Sequence, residues 1–125
     1  MKKVVSINNL PKPSSPYSYC VRAGDLVFTA GLVGIDPTTS KPRSDSIRDQ
    51  TEQALENLKD VLVAAGSSLD NVVKTTVFIS DLKDFEEMNK IYAKTFPNNP
   101  PARSTVQVAL VGGLKIEIEA VATTS

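Results

Sequence analysis

The chain has 125 residues, enough for one domain and too few for two. Lys plus Arg (14) balances Asp plus Glu (14), and 41% of residues are hydrophobic, so the chain reads as globular and lacks the basic surface that nucleic acid demands. With no His and a single cysteine, Cys20, imidazole bases, Ser–His triads, CxxC metal or redox sites and a disulfide within the chain are all excluded.

The basic start Met1-Lys2-Lys3 is followed by a segment, Val4 to Leu10, that Ser6, Asn8 and Asn9 interrupt. That is not a signal-peptide core, and no run approaches transmembrane length, so a reduced, cytoplasmic setting with no membrane partner is expected. Val4 to Ile7 predicts a short opening strand, and Pro11, Pro13 and Pro16 a stiff connector after it. Tyr19 to Ala23 and Leu26 to Val33, around Gly24-Asp25, read as a hairpin.

Asp36 to Lys41 is turn-rich. Ser46 and Asp49 have the spacing of a helix start, and Ile47, Ala54, Leu55, Leu58, Val61, Leu62 and Ala65 form one apolar stripe that Gly66 ends. Val72 to Ile79 is β-branched and aromatic, a strand with Val73, Thr75, Val77 and Ile79 on one side. A second helix is expected from about Asp84 to Phe96, burying Phe85, Met88, Tyr92 and Phe96 before Pro97. Arg103 to Val111 and Leu114 to Ala122 then read as a closing hairpin around Gly112-Gly113.

These elements predict an α+β fold in which two helices cover one face of a mixed, six-stranded sheet. Ile116, Ile118 and Ala120 alternate with Lys115, Glu117 and Glu119, and Val106, Val108 and Leu110 with Arg103, Thr105 and Gln107. The second set of each strand falls on the open face. Such a mixed face is commonly completed by another subunit, so a homo-oligomer is expected.

With His absent, chemistry rests on carboxylates, Arg, Lys, Tyr, hydroxyls and Cys20. Arg103 and Glu117 stand out, since a guanidinium fork matches a substrate carboxylate and a neighbouring Glu can polarise water. From spacing alone a cross-strand ion pair on a solvated face is the favoured reading of the two. Tyr17 reads as a packing or surface aromatic, Cys20 as a small buried hydrophobe, and Gly112-Gly113 as a turn with no helix start behind it.

The motifs Val73-Lys74-Thr75-Thr76-Val77-Phe78-Ile79 with Asp81-Leu82 and Asp84-Phe85, then Pro101-Ala102-Arg103-Ser104, then Lys115-Ile116-Glu117-Ile118-Glu119-Ala120 carry a specific resemblance. So do Gly31, Ala64-Ala65-Gly66, and Asn89 followed by Tyr92. Over nearly its whole length the chain resembles the reactive intermediate deaminase A (RidA) family, also called YjgF and widely labelled endoribonuclease L-PSP. The resemblance implies a chorismate-mutase-like fold, a homotrimer with sites between subunits, and cofactor-independent hydrolysis. The substrates it implies are 2-aminoacrylate and 2-aminocrotonate in their imine forms, converted to 2-oxo acids and ammonia.

By position, Arg103 is then expected to clamp the substrate carboxylate and Glu117 to place the attacking water. Tyr17 closes the pocket, Gly31 lends backbone contacts, and Asn89 and Thr105 complete the substrate-binding set; no metal is implied. Thr105 stands where many relatives carry cysteine, Ser15-Pro16-Tyr17 replaces Gly-Pro-Tyr, and Ala30-Gly31-Leu32 replaces Ser-Gly-Gln. The loop Val111-Gly112-Gly113-Leu114 lacks the customary proline. These departures bear on substrate preference more than on reaction type. Two competing functions remain: an endoribonuclease or translation inhibitor, and a non-enzymatic small-molecule-binding or chaperone-like module.

Overall fold

The computed structural model describes all 125 residues. The strands are β1 (Lys2–Val4), β2 (Cys20–Ala23), β3 (Leu26–Thr29), β4 (Leu32–Val33), β5 (Ile35–Asp36), β6 (Lys41–Pro42), β7 (Val72–Ile79), β8 (Ala102–Gln107) and β9 (Ile116–Thr123). The helices are α1 (Ile47–Ala64) and α2 (Phe85–Thr95). The main sheet runs β1-β2-β3-β9-β7-β8, with β4 also paired to β9, while β5 and β6 form a separate ribbon. This is the α+β arrangement expected, with both helices on one face, but β4 makes the sheet seven-stranded where six strands were expected.

Helix α1 starts where its cap allows. The Ser46 side chain accepts a hydrogen bond from the Asp49 backbone N–H at 3.0 Å, satisfying one of the first-turn donors. The stripe from Ile47 to Ala65 is buried throughout and joins Val77, Ile79, Met88, Ile91, Tyr92, Ile116 and Ile118 in one core of 21 residues. Leu58 is fully buried there, a position where truncation to Ala costs about 2–5 kcal/mol. Neither helix is long and apolar enough to cross a membrane.

Three local expectations are corrected. The run from Leu26 to Val33 breaks at Ala30-Gly31, so its second half, β4, pairs with β9 instead of continuing along β2. In β7 a register shift between Val72 and Lys74 turns Val73 outward and puts Val72 in the core with Thr75, Val77 and Ile79. The largest correction concerns the closing hairpin. β8 and β9 do not pair; β7 lies between them, parallel to β8 and antiparallel to β9. Parallel strands need a crossover, and α2 is that crossover.

This changes which side each residue faces. Arg103 is the register partner of Thr75, which is fully buried beneath α2. Thr105 pairs likewise with buried Val77, so Arg103 and Thr105 point toward the helices and not to the open face. Val106 and Val108, expected inside, are exposed. Glu117 pairs with Phe78 and Val33 and does lie on the open face, as does Glu119 opposite Thr76.

Candidate active site

The expected site residues gather in two groups on opposite faces of the sheet. The first surrounds Arg103. Its Nη1 donates to Asn89 Oδ1 at 2.8 Å, and its guanidinium carbon lies 4.6 Å above the centre of the Tyr92 ring and 5.7 Å from that of Phe85. A partly desolvated cation over an aromatic face gains roughly 1–2 kcal/mol. Asn89 and Tyr92 are three residues apart on α2, so they share a helix face and converge on the same group. The Tyr92 hydroxyl is in turn 2.7 Å from buried Thr75 Oγ1, and its ring packs against Phe96 at 4.8 Å. Burial pushes the Tyr92 phenol up, despite the opposing pull of the Thr75 hydrogen bond and the Arg103 charge.

Arg103 has no carboxylate partner. The ion pairs of the chain are Arg43–Glu52, Arg48–Glu52 and Glu87–Lys90, none of which includes Arg103. A cross-strand pair between Arg103 and Glu117 is therefore not formed within the protomer. Asn89, Tyr92, Ala93, Phe96, Pro100, Pro101 and Arg103 line an open cleft of about 300 Å³. Its one cation, held by a neutral oxygen and by rings, keeps its charge available for an anion.

The second group centres on Gly31, which touches Glu117 on one side and the Tyr17 cleft on the other. A Cβ at Gly31 would collide with the Glu117 carboxylate, so glycine is what lets the β3–β4 corner close over this side chain. Tyr17 and Gly31 share an apolar cleft of about 160 Å³ with Leu10, Pro11, Tyr19, Leu32 and Val33. Tyr17 is 50% exposed and stands edge-on to Tyr19 at 5.8 Å; the Tyr19 hydroxyl donates to the Pro11 carbonyl at 2.7 Å. Desolvation raises the Glu117 pKa above the usual carboxylate value, and the like charge of Glu119 adds to it.

Three buried amides on α1 fix this corner. Asn57 Nδ2 donates to the carbonyls of Val33 and Ile35 at 2.9 Å, and its Oδ1 accepts from Gln53 Nε2, whose Oε1 accepts from Arg43. Gln50 Oε1 accepts from the Lys115 backbone N–H at 2.9 Å, anchoring the start of β9 two residues before Glu117. Gly34 lies so close to the Gln50 backbone that a Cβ would overlap it.

Sequence reasoning missed these amides and read Tyr92 only as core. The Asn89-x-x-Tyr92 spacing could have pointed to Tyr92, whereas the amides lie within an otherwise apolar helix stripe and gave no such signal. Cys20 is fully buried and its thiol is pushed up to about 11 by desolvation, the inert hydrophobe expected of it. No group of three or more His, Cys, Asp or Glu side chains is placed to hold a metal ion.

Comparison with known proteins agrees with this architecture. Over 123 residues the chain is 49% identical to "Reactive Intermediate Deaminase A, chloroplastic" of Arabidopsis thaliana, covering 98% of this chain and 66% of that protein. It is 41% identical to the "2-iminobutanoate/2-iminopropanoate deaminase" of Homo sapiens, covering 98% of this chain and 90% of the human one. Among solved structures, E. coli TdcF with bound serine superposes with a TM-score of 0.92 at 39% identity, covering 98% and 99% of the two chains. The model of the "Endoribonuclease L-PSP" family matches residues 7–124, and the chain belongs to that family.

Proposed function

We propose that this protein hydrolyses small carboxylated imines, such as those formed from 2-aminoacrylate and 2-aminocrotonate, to 2-oxo acids and ammonia without a cofactor. The observation that carries the reading is the pair of half-sites: an uncompensated guanidinium in a cleft under α2 and, on the other face of the sheet, a carboxylate of raised pKa packed against Gly31. Arg103 takes the substrate carboxylate through N–H groups that no other side chain occupies. Glu117 draws a proton from water as the oxygen adds to the imine carbon. The resulting carbinolamine collapses when its nitrogen, once protonated, leaves as ammonia and the carbon–oxygen double bond forms. Tyr17 and Gly31 border the pocket, and Asn89 and Thr105 complete the substrate-binding set.

Because Arg103 and Glu117 lie on opposite faces of one sheet, the reading requires the two to come from neighbouring subunits. A homotrimer with three shared clefts satisfies that requirement. Exposed Phe28, Leu26 and Val106 on or beside the open face support its burial against a second copy. The whole chain, residues 1–125, acts as one domain, supported by its single continuous core. A cytoplasmic setting fits the lone, buried, reduced thiol.

The family description also names an endoribonuclease. Zero net charge and the absence of His favour the deaminase, and RNA binding, if present, would weaken steeply with salt.

The test couples a serine or threonine dehydratase to this protein and follows the transient imine with semicarbazide. Faster keto-acid formation, lost in Arg103→Ala, is the expected result; no acceleration by a well-folded oligomer would overturn the reading. Mixing unfolded Arg103→Ala and Glu117→Gln chains and refolding them together should restore activity. Shared clefts regain both residues in some hybrids, whereas sites within one subunit would stay inactive.

A further inference from the structure

The proposed clamp needs more than a cation; it needs one whose plane is fixed. A guanidinium binds a carboxylate best through two parallel N–H···O bonds, which a freely rotating side chain does not hold in place. Another carboxylate beside Arg103 would orient it, but would also compete with the substrate for the same charge. The chain uses a neutral seat instead. One N–H is taken by Asn89 Oδ1, and the guanidinium rests 4.6 Å above the Tyr92 ring. That ring is fixed by Phe96 on one side and, through its hydroxyl, by Thr75 Oγ1 at 2.7 Å. Thr75 is fully buried on β7, a strand paired on both sides by β8 and β9, so the chain of contacts ends inside the sheet.

We propose that Tyr92 and Thr75 are positioning residues for anion binding: Thr75 locks the phenol, and the ring face sets the plane of the Arg103 guanidinium. The inference rests on the reading of Arg103 as the carboxylate clamp. Tyr92 acts only through Arg103, so its loss must damage recognition of the carboxylate and leave the rest of the ligand contacts alone.

The experiment measures binding of 2-oxobutanoate, and of its neutral amide by competition, to the assembled wild-type protein and to Tyr92→Leu, Tyr92→Phe and Thr75→Val, with KM and kcat alongside. Tyr92→Leu should weaken 2-oxobutanoate about tenfold or more and leave the amide within about twofold, the scale of a lost cation–ring contact plus lost orientation. KM should rise while kcat at saturation stays within about twofold. Tyr92→Phe and Thr75→Val keep the ring but release its lock, and should weaken 2-oxobutanoate by roughly two- to fivefold.

Wild-type affinity for 2-oxobutanoate in Tyr92→Leu, or equal loss of carboxylate and amide, would overturn the proposal. Should Tyr92→Leu fail to fold, the two conservative variants decide, and unchanged affinity in both would overturn it as well. Wild-type protein that binds neither ligand would sink the imine reading and this inference together, which separates the two failures.

Discussion

Arg103 and Glu117 belong to opposite faces of one sheet and are held in opposite ways. Every contact that orients Arg103 comes from its own chain: an amide and a ring from α2, and behind them a hydroxyl from β7. Glu117 has no cation beside it, shares its face with Glu119, and is crowded by the glycine corner above it. One half-site is finished by folding, whereas the other is left desolvated and unpaired. The difference teaches that folding alone fixes the orientation of the cation but leaves the carboxylate without a counter-charge.

The sharpest break in this comparison is Arg103→Ala. Loss of a charged clamp of this kind costs roughly 2–5 kcal/mol of ligand affinity, so deaminase activity should fall at least about thirtyfold. Its fold and assembly should survive, which sedimentation or gel filtration would check; an unfolded variant would make the arginine structural.

A pair of glycine substitutions probes the other half. In Gly31→Ala the new methyl meets the far end of Glu117, a flexible group that can swing aside. Activity should drop about tenfold while stability changes by less than about 1 kcal/mol. In Gly34→Ala the methyl meets the Gln50 backbone, which cannot yield, so stability should fall by about 1–3 kcal/mol. Thermal melts and steady-state rates on both variants measure the contrast, and equal stability losses would erase it.

Glu117 also predicts a pH dependence. Its folded pKa is raised, so the folded protein holds this proton more tightly than the unfolded chain. Its contribution to stability is present below the unfolded carboxylate value and is lost as pH rises through the folded one. Melting temperatures followed upward from acid pH should therefore fall relative to those of Glu117→Gln, which has no proton to lose there. Parallel curves for the two proteins would remove Glu117 as the source.

The smallest expected effect lies in the N-terminal segment. Tyr19→Phe deletes the hydroxyl that donates to Pro11, a loss of about 0.5–1.5 kcal/mol. Faster amide exchange around residues 8–18, with little change in the Arg103 cleft, would show that the two half-sites are mechanically separate.

Much of this was legible in the residues themselves. The stripe from Ile47 to Ala65 and the Ser46 cap determine α1, and the alternation in Ile116 to Ala120 determines which residues of β9 share its apolar side, because both depend on local periodicity alone. The motifs around Arg103 and Glu117 likewise mark the family by residue order alone. Tertiary structure alone decided that β7 separates β8 from β9, that Arg103 turns toward α2, and that Tyr92 serves as its seat. Alternation within a strand says which residues share a side, but not which side that is. Strand order and the path of the α2 crossover settle the side, and they arise from contacts between segments that no local pattern encodes.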